Sequence, residues 1–162
     1  MIQIRGNCFE TNSSSQHSLV IITNKDWVDE VYSEEELKEG FYVNKNGIWN
    51  ASNDDWYFGR YPFRILSTFY DKVRYACASG FCNETIEIVK KYIPKIKEVK
   101  LPEYMGTDDY QLKCWLADNN ISLEEFLTHD KYVIICDGDE YCIWSQMLQS
   151  GLINKKVFEE HV

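Results

Sequence analysis

Arg5, Asn12, Ser13, Ser14, Ser15, His17 and Ser18 gather a guanidinium, an amide, an imidazole and several hydroxyls near the start of the chain. Hydroxyls and backbone N–H groups donate to phosphate oxygens, and an arginine adds charge-assisted bonds, so these residues suit a phosphate or nucleotide. His17 has a side chain that titrates near neutrality and is the candidate general acid or base. The sequence assigns it no partner nucleophile and no orienting carboxylate. The plain alternative is a structural loop whose serines satisfy their own turns.

Two further clusters carry charge chemistry. Asp137, Asp139 and Glu140 follow an apolar run and are candidate ligands for Mg²⁺ or Ca²⁺, although no EF-hand pattern surrounds them and an acidic turn is the simpler reading. Residues 26–39 hold seven acids and one base, Lys38. Asp26, Asp29, Glu30, Glu34, Glu35 and Glu36 on helical segments would imitate a phosphate backbone and dock a basic cleft. A solvated helix face is the alternative. The basic counterpart is Lys90, Lys91, Lys95, Lys97 and Lys100, with Pro94 interrupting any shared helix face.

The six cysteines, Cys8, Cys77, Cys82, Cys114, Cys136 and Cys142, form no Cys-x-x-Cys pair. Their apolar neighbours favour buried reduced thiols over metal ligation. No Walker loop, dinucleotide-binding glycine fingerprint, nucleophile elbow or zinc-protease helix is present. The sequence names no cofactor.

Residues 9–18, Phe-Glu-Thr-Asn-Ser-Ser-Ser-Gln-His-Ser, preceded by Arg5, carry a resemblance. They resemble the opening of small phage and prophage proteins of low-GC Gram-positive bacteria, which begin with a basic residue and then Phe-Glu-Thr-Asn-Ser-Ser-Ser-x-His-Ser. The resemblance implies a setting, a phage accessory protein acting inside a bacterium. It transfers no catalytic residue, because that family has no assigned activity.

The elements that must position these groups belong to a chain of 162 residues, long enough for one domain spanning 1–162 with a real core. No apolar run approaches the ~20 residues that span a bilayer, and the first residues lack a signal-peptide stretch, so the expected location is the cytoplasm, away from membranes; the resemblance implies that of a bacterial host cell. Net charge is −6 over residues 1–59, +5 over 60–100 and −8 over 101–162. An acidic chain repels nucleic acid at long range, which disfavours general DNA or RNA binding.

Strands are expected at 2–5, 19–23, 97–101 and 131–136, where β-branched and apolar residues run together. Asn24 would cap a helix from Lys25, and Ser33 opens a capping box with Glu36. Residues 41–49 read as a hairpin around Asn46-Gly47. The periodicity predicts a helix over 62–78, with Phe63, Leu66, Phe69, Tyr70, Val73, Ala76 and Cys77 inward, Arg64, Lys72 and Arg74 on the other side, and Gly80 ending it. Asn83 would cap the next helix, which Pro94 stops. Thr107 would cap a helix through Asp118, and Ser122 opens a second capping box with Glu125. Residues 141–150 fit strand or helix.

Strands and helices interleave without a βαβ series, so the expected fold is α+β: a single compact domain with a small mixed or antiparallel sheet packed by several helices. The leading functional reading is a non-enzymatic binding protein, a phage accessory factor that occupies a bacterial host protein or captures a small phosphorylated ligand. The alternative is a small enzyme acting on a nucleotide or phosphoester, with His17 and the Ser13–Ser15 loop at its centre.

Overall fold

Capping side chains decide where three of the helices begin. The computed structural model describes residues 20–23, 31–58, 64–106, 111–136 and 143–151. Within these, the order is β1 (Val20–Thr23), α1 (Glu34–Lys38), β2 (Ile48–Asn50), β3 (Arg64–Leu66), α2 (Phe69–Ala76), a π turn (Cys77–Phe81), α3 (Cys82–Tyr92), β4 (Glu98–Lys100), α4 (Gln111–Asn119), α5 (Leu123–Thr128), β5 (Tyr132–Cys136) and α6 (Ile143–Gln149). The Ser33, Thr68 and Ser122 side chains each accept a bond from the backbone N–H three residues on, giving α1, α2 and α5 a fixed start. At α1 the box is complete, since the Glu36 carboxylate accepts from the Ser33 backbone at 2.8 Å.

The architecture is α+β, with two small sheets among the described residues. In the first, β5 lies between β1 and β3 and pairs antiparallel with both, placing Ile134 opposite Ile21 and Leu66. The second joins β2 and β4 in parallel, with Trp49 opposite Val99. Parallel strands need a long connection, and here it contains β3, α2 and α3.

One hydrophobic cluster joins the elements. Phe41 meets Trp49 at 4.7 Å and Tyr70 at 4.9 Å between ring centres, both edge-on, and Trp49 reaches Trp56 at 5.8 Å. Aromatic pairs favour such tilted contacts because ring edges are positive and faces negative. Trp56 and Phe58, between β2 and β3, are buried. A second aromatic group, Trp115, Phe126 and Tyr132, ties α4, α5 and β5 together.

Several expectations need correction. The helix expected over 62–78 starts only at Phe69; Arg64–Leu66 is strand β3, because its backbone completes the ladder on β5. Gly80 marks a kink, at φ 91°, and the chain resumes as helix at Cys82. Asn83 makes no cap; Phe81 holds that position without a side-chain bond. The hairpin at 41–49 is short, with one bridge, Val43 with Trp49, closing the turn at Asn44–Gly47, while β2 pairs along its length with β4. Residues 143–149 resolve as helix. The strand expected at 2–5, the Asn24 cap and the Thr107 cap lie outside the described residues.

Candidate functional site

The serine loop, with Arg5, Asn12, Ser13, Ser14, Ser15, His17 and Ser18, lies outside the described residues. So do Asp26, Asp29 and Glu30, and so do Asp137, Asp139 and Glu140. Among the described residues no group of three or more His, Cys, Asp or Glu side chains is placed to hold a metal ion. No helix among them is long and apolar enough to cross a membrane.

The described part of the acidic segment is α1. This helix buries only Leu37 and turns Glu34, Glu35, Glu36 and Glu39 outward. Its carboxylates are not equivalent. Glu36 is tied into the capping box, and the Ser33 backbone N–H, then the Ser33 hydroxyl, hold its carboxyl below the usual range. Glu34 is 85% exposed and reaches Lys38 at 3.4 Å, a pair too solvated to neutralise it. Glu35 and Glu39 are exposed as well. Flanking the helix in sequence are two of the large hydrophobic side chains left in solvent, Val31 at 54% and Tyr42 at 85%. α1 thus offers an acidic rim with apolar groups on either side of it in the chain.

The lysines expected to form a basic counterpart are dispersed. Lys91 bonds Glu124 at 2.6 Å, joined there by the Tyr92 hydroxyl, and Lys90 lies 3.6 Å from Glu87. Lys100 sits on β4 opposite Asn50.

Two residues expected on the outer side of α2, Lys72 and Arg74, are covered. Lys72 was expected on the outer side of its helix; it is fully buried. Its Nζ donates to the carbonyls of Phe126 at 3.0 Å and His129 at 2.6 Å. It also lies 4.6 Å from the centre of the Tyr32 ring. Those carbonyls belong to the end of α5, where helical C=O groups lack partners and the helix dipole is negative, so a buried amine fits. Burial pushes the Lys72 amine well below the ordinary lysine range, and the Asp130 charge opposes that shift. The signal was in the sequence: Phe69, Lys72, Val73 and Ala76 have the spacing of one helix face. The neighbouring Tyr32 backbone N–H donates to Thr128 at 3.0 Å, and its hydroxyl donates to the Ser67 carbonyl. Burial, then the charges of Asp130, Glu36 and Asp71, keeps that phenol protonated above its usual range. Arg74, also expected outside, is largely covered; it pairs with Asp71 at 2.7 Å and lies over the Tyr70 ring.

Lys72 is therefore a structural clamp, sealed by the rings of Tyr32 and Phe126 and lacking solvent exposure. Among the described residues, α1 carries the exposed carboxylates of the acidic segment. Comparison with models of protein families, with curated proteins and with solved structures gives no match.

Proposed function

We propose that this protein is a non-enzymatic binding protein, a phage accessory factor that occupies a basic surface on a bacterial host protein. The observation that carries the reading is the exposure of α1: its glutamates face solvent, and Val31 and Tyr42 are exposed beside it in the chain. Carboxylates steer a basic partner into encounter and set orientation, while exposed aromatic side chains supply the anchors that dominate binding energy. Asp26, Asp29 and Glu30 would extend the acidic rim in sequence.

Charge reversal tests it. In the full chain, Asp26, Asp29, Glu30, Glu34 and Glu35 are changed to Lys together, and Glu36 is kept because it caps α1. Wild type and variant are used to capture proteins from a bacterial lysate at low and high salt. The expected outcome is a host protein held by wild type, released by salt and absent from the variant, with circular dichroism unchanged. Equal capture by both chains at equal salt overturns the reading.

A further inference from the structure

Lys90 and Lys91 are taken up by carboxylates on helices, but α3 ends at Tyr92, and Lys95, Lys97 and Lys100 leave with the chain as it turns into β4. There they meet a fourth lysine from a distant part of the sequence. Lys45 sits in the turn closed by the Gly47 N–H on the Asn44 carbonyl at 2.9 Å. That turn packs against the connection into β4, where the Lys97 N–H donates to the Gly47 carbonyl at 2.8 Å. Gly47 holds φ 79°, and a Cβ there would lie 2.7 Å from the Lys95 carbonyl oxygen and 3.0 Å from Lys97 Cγ. Glycine permits both that backbone and that close approach. Lys45, Lys95, Lys97 and Lys100 are all exposed. None of the four forms an ion pair among the described residues, whereas Lys38, Lys90, Lys91 and Lys131 each reach a carboxylate.

The strand register supplies the rest of this face. Val43 bridges Trp49 antiparallel, and Trp49 lies opposite Val99. The next row across is therefore Tyr42, Asn50 and Lys100, and the row on the other side is Asn44, Ile48 and Glu98. Successive residues of a strand point to opposite sides, so with Trp49 buried these two rows point outward. Tyr42 is 85% exposed, and Asn50 and Lys100 are exposed with it. Strand spacing sets the Tyr42 and Lys100 positions about 10 Å apart. Glu98 is the one carboxylate in the two rows.

We propose that this face binds single-stranded nucleic acid, with the four lysines on the phosphates and a base stacked on the Tyr42 ring. Unpaired lysines on an open surface are free to replace the counterions of a phosphate backbone. A bare aromatic ring stacks with any base, because every base has a π face. A duplex keeps its bases stacked on one another and leaves that ring unused. An acidic peptide would satisfy the lysines and likewise leave the ring uncovered. The net charge of −9 repels polyanions at long range. The Debye length is ~8 Å in physiological salt, so at contact the charges within about that distance govern.

The test is fluorescence anisotropy of a labelled oligothymidylate of roughly 20 nucleotides with the full chain. Three to four phosphate contacts predict that affinity falls about 20- to 50-fold between about 50 and 200 mM salt. Lys97→Ala combined with Lys100→Ala removes two contacts and should reduce that fall to about 3- to 7-fold. Tyr42→Ala should weaken binding about tenfold and leave the salt dependence unchanged. A duplex of the same sequence length should bind more weakly than the single strand. Absence of binding at low salt overturns the proposal, and so does an identical salt dependence in wild type and the double lysine variant. Polyglutamate displacing the probe as well as unlabelled oligothymidylate does would mark an acidic-peptide site and overturns it too. The wild-type affinity and its salt dependence stand even if a variant fails to fold. The four lysines are no part of the acidic rim of α1, so failure here leaves the host-protein reading to its own charge-reversal test.

Discussion

Lys72 and Cys82 lie ten residues apart on one kinked run of helix, and both have ionisation displaced from the ordinary. The displacement has opposite meanings at the two places. At Lys72 the cause is burial, and the amine is closed in by two carbonyls and two aromatic rings. At Cys82 the leading cause is the neighbouring Cys77 thiol, and the sulfur belongs to a half-buried residue. A shifted pKa marks a reactive group only where reagents can arrive. The kink at Gly80 lies between the two residues, after the helix that carries Lys72 has ended.

Removing the sealed amine should have the largest effect. Lys72→Ala leaves a cavity and strands the carbonyls of Phe126 and His129, with an expected loss of roughly 3–5 kcal/mol in urea unfolding. Lys72→Met keeps most of the volume and loses only the bonds, for about 1–3 kcal/mol. The lowered amine also gives a pH signature. Between its folded value and the ordinary 10.5 the unfolded chain binds more protons, so this contribution to stability is complete above 10.5 and is lost as pH falls through the folded value. Tyr32 and Tyr70 act in the opposite sense at alkaline pH, because their phenols stay protonated above the usual range in the fold. The difference between wild type and Lys72→Met isolates the lysine. If the two chains share one pH–stability profile, Lys72 is no buried clamp and the contrast with Cys82 collapses.

Gly40 and Gly80 separate backbone strain from crowding. Both hold positive φ, 86° and 91°. A Cβ on Gly40 would lie 2.7 Å from the Tyr70 ring, and that ring is fixed edge-on against Phe41. Gly40→Ala should therefore cost about 2–4 kcal/mol, strain and overlap together. Gly80→Ala meets no neighbour and should cost only about 1–2 kcal/mol from the left-handed backbone. Chemical denaturation of both variants checks the order. Equal losses would mean that a side chain at Gly80 is crowded as one at Gly40 is.

How much of this was legible in the sequence follows from which forces are local. The Ser33 and Ser122 caps, the positive φ at Gly47 and the strand at Tyr132–Cys136 are short-range outcomes, and the residue types announced them. Strand β3 was not legible. Leu66 and Phe69 share helical spacing, and only pairing with β5, about seventy residues later, makes Arg64–Leu66 a strand. Lys72 was misplaced because charge outweighed position in the reading, although its spacing from Phe69 and Ala76 put it on the inner face. The π turn at Cys77–Phe81 is likewise something apolar periodicity does not encode. For the proposed binding surface, the visible signal was composition; α1 shows which carboxylate is unavailable, since Glu36 is consumed by its own helix.

The smallest effect concerns the other end of the helix that Lys72 clamps. Ser122 accepts from the Glu125 N–H at 3.1 Å at the start of α5, while Lys72 serves the carbonyls at its finish. The serine bond is exposed, so water replaces it when it is lost, whereas nothing replaces the buried amine. Ser122→Ala should cost about 1 kcal/mol. The two ends belong to a helix of only six residues, too short to hold itself together, so the losses should not be independent. A double variant, Ser122→Ala with Lys72→Met, should lose less than the sum of the two singles, because once one end has frayed the other cap has less helix to hold. Strict additivity in urea unfolding would show that α5 is fixed by its buried side chains Phe126 and Leu127 alone and that its two caps act separately.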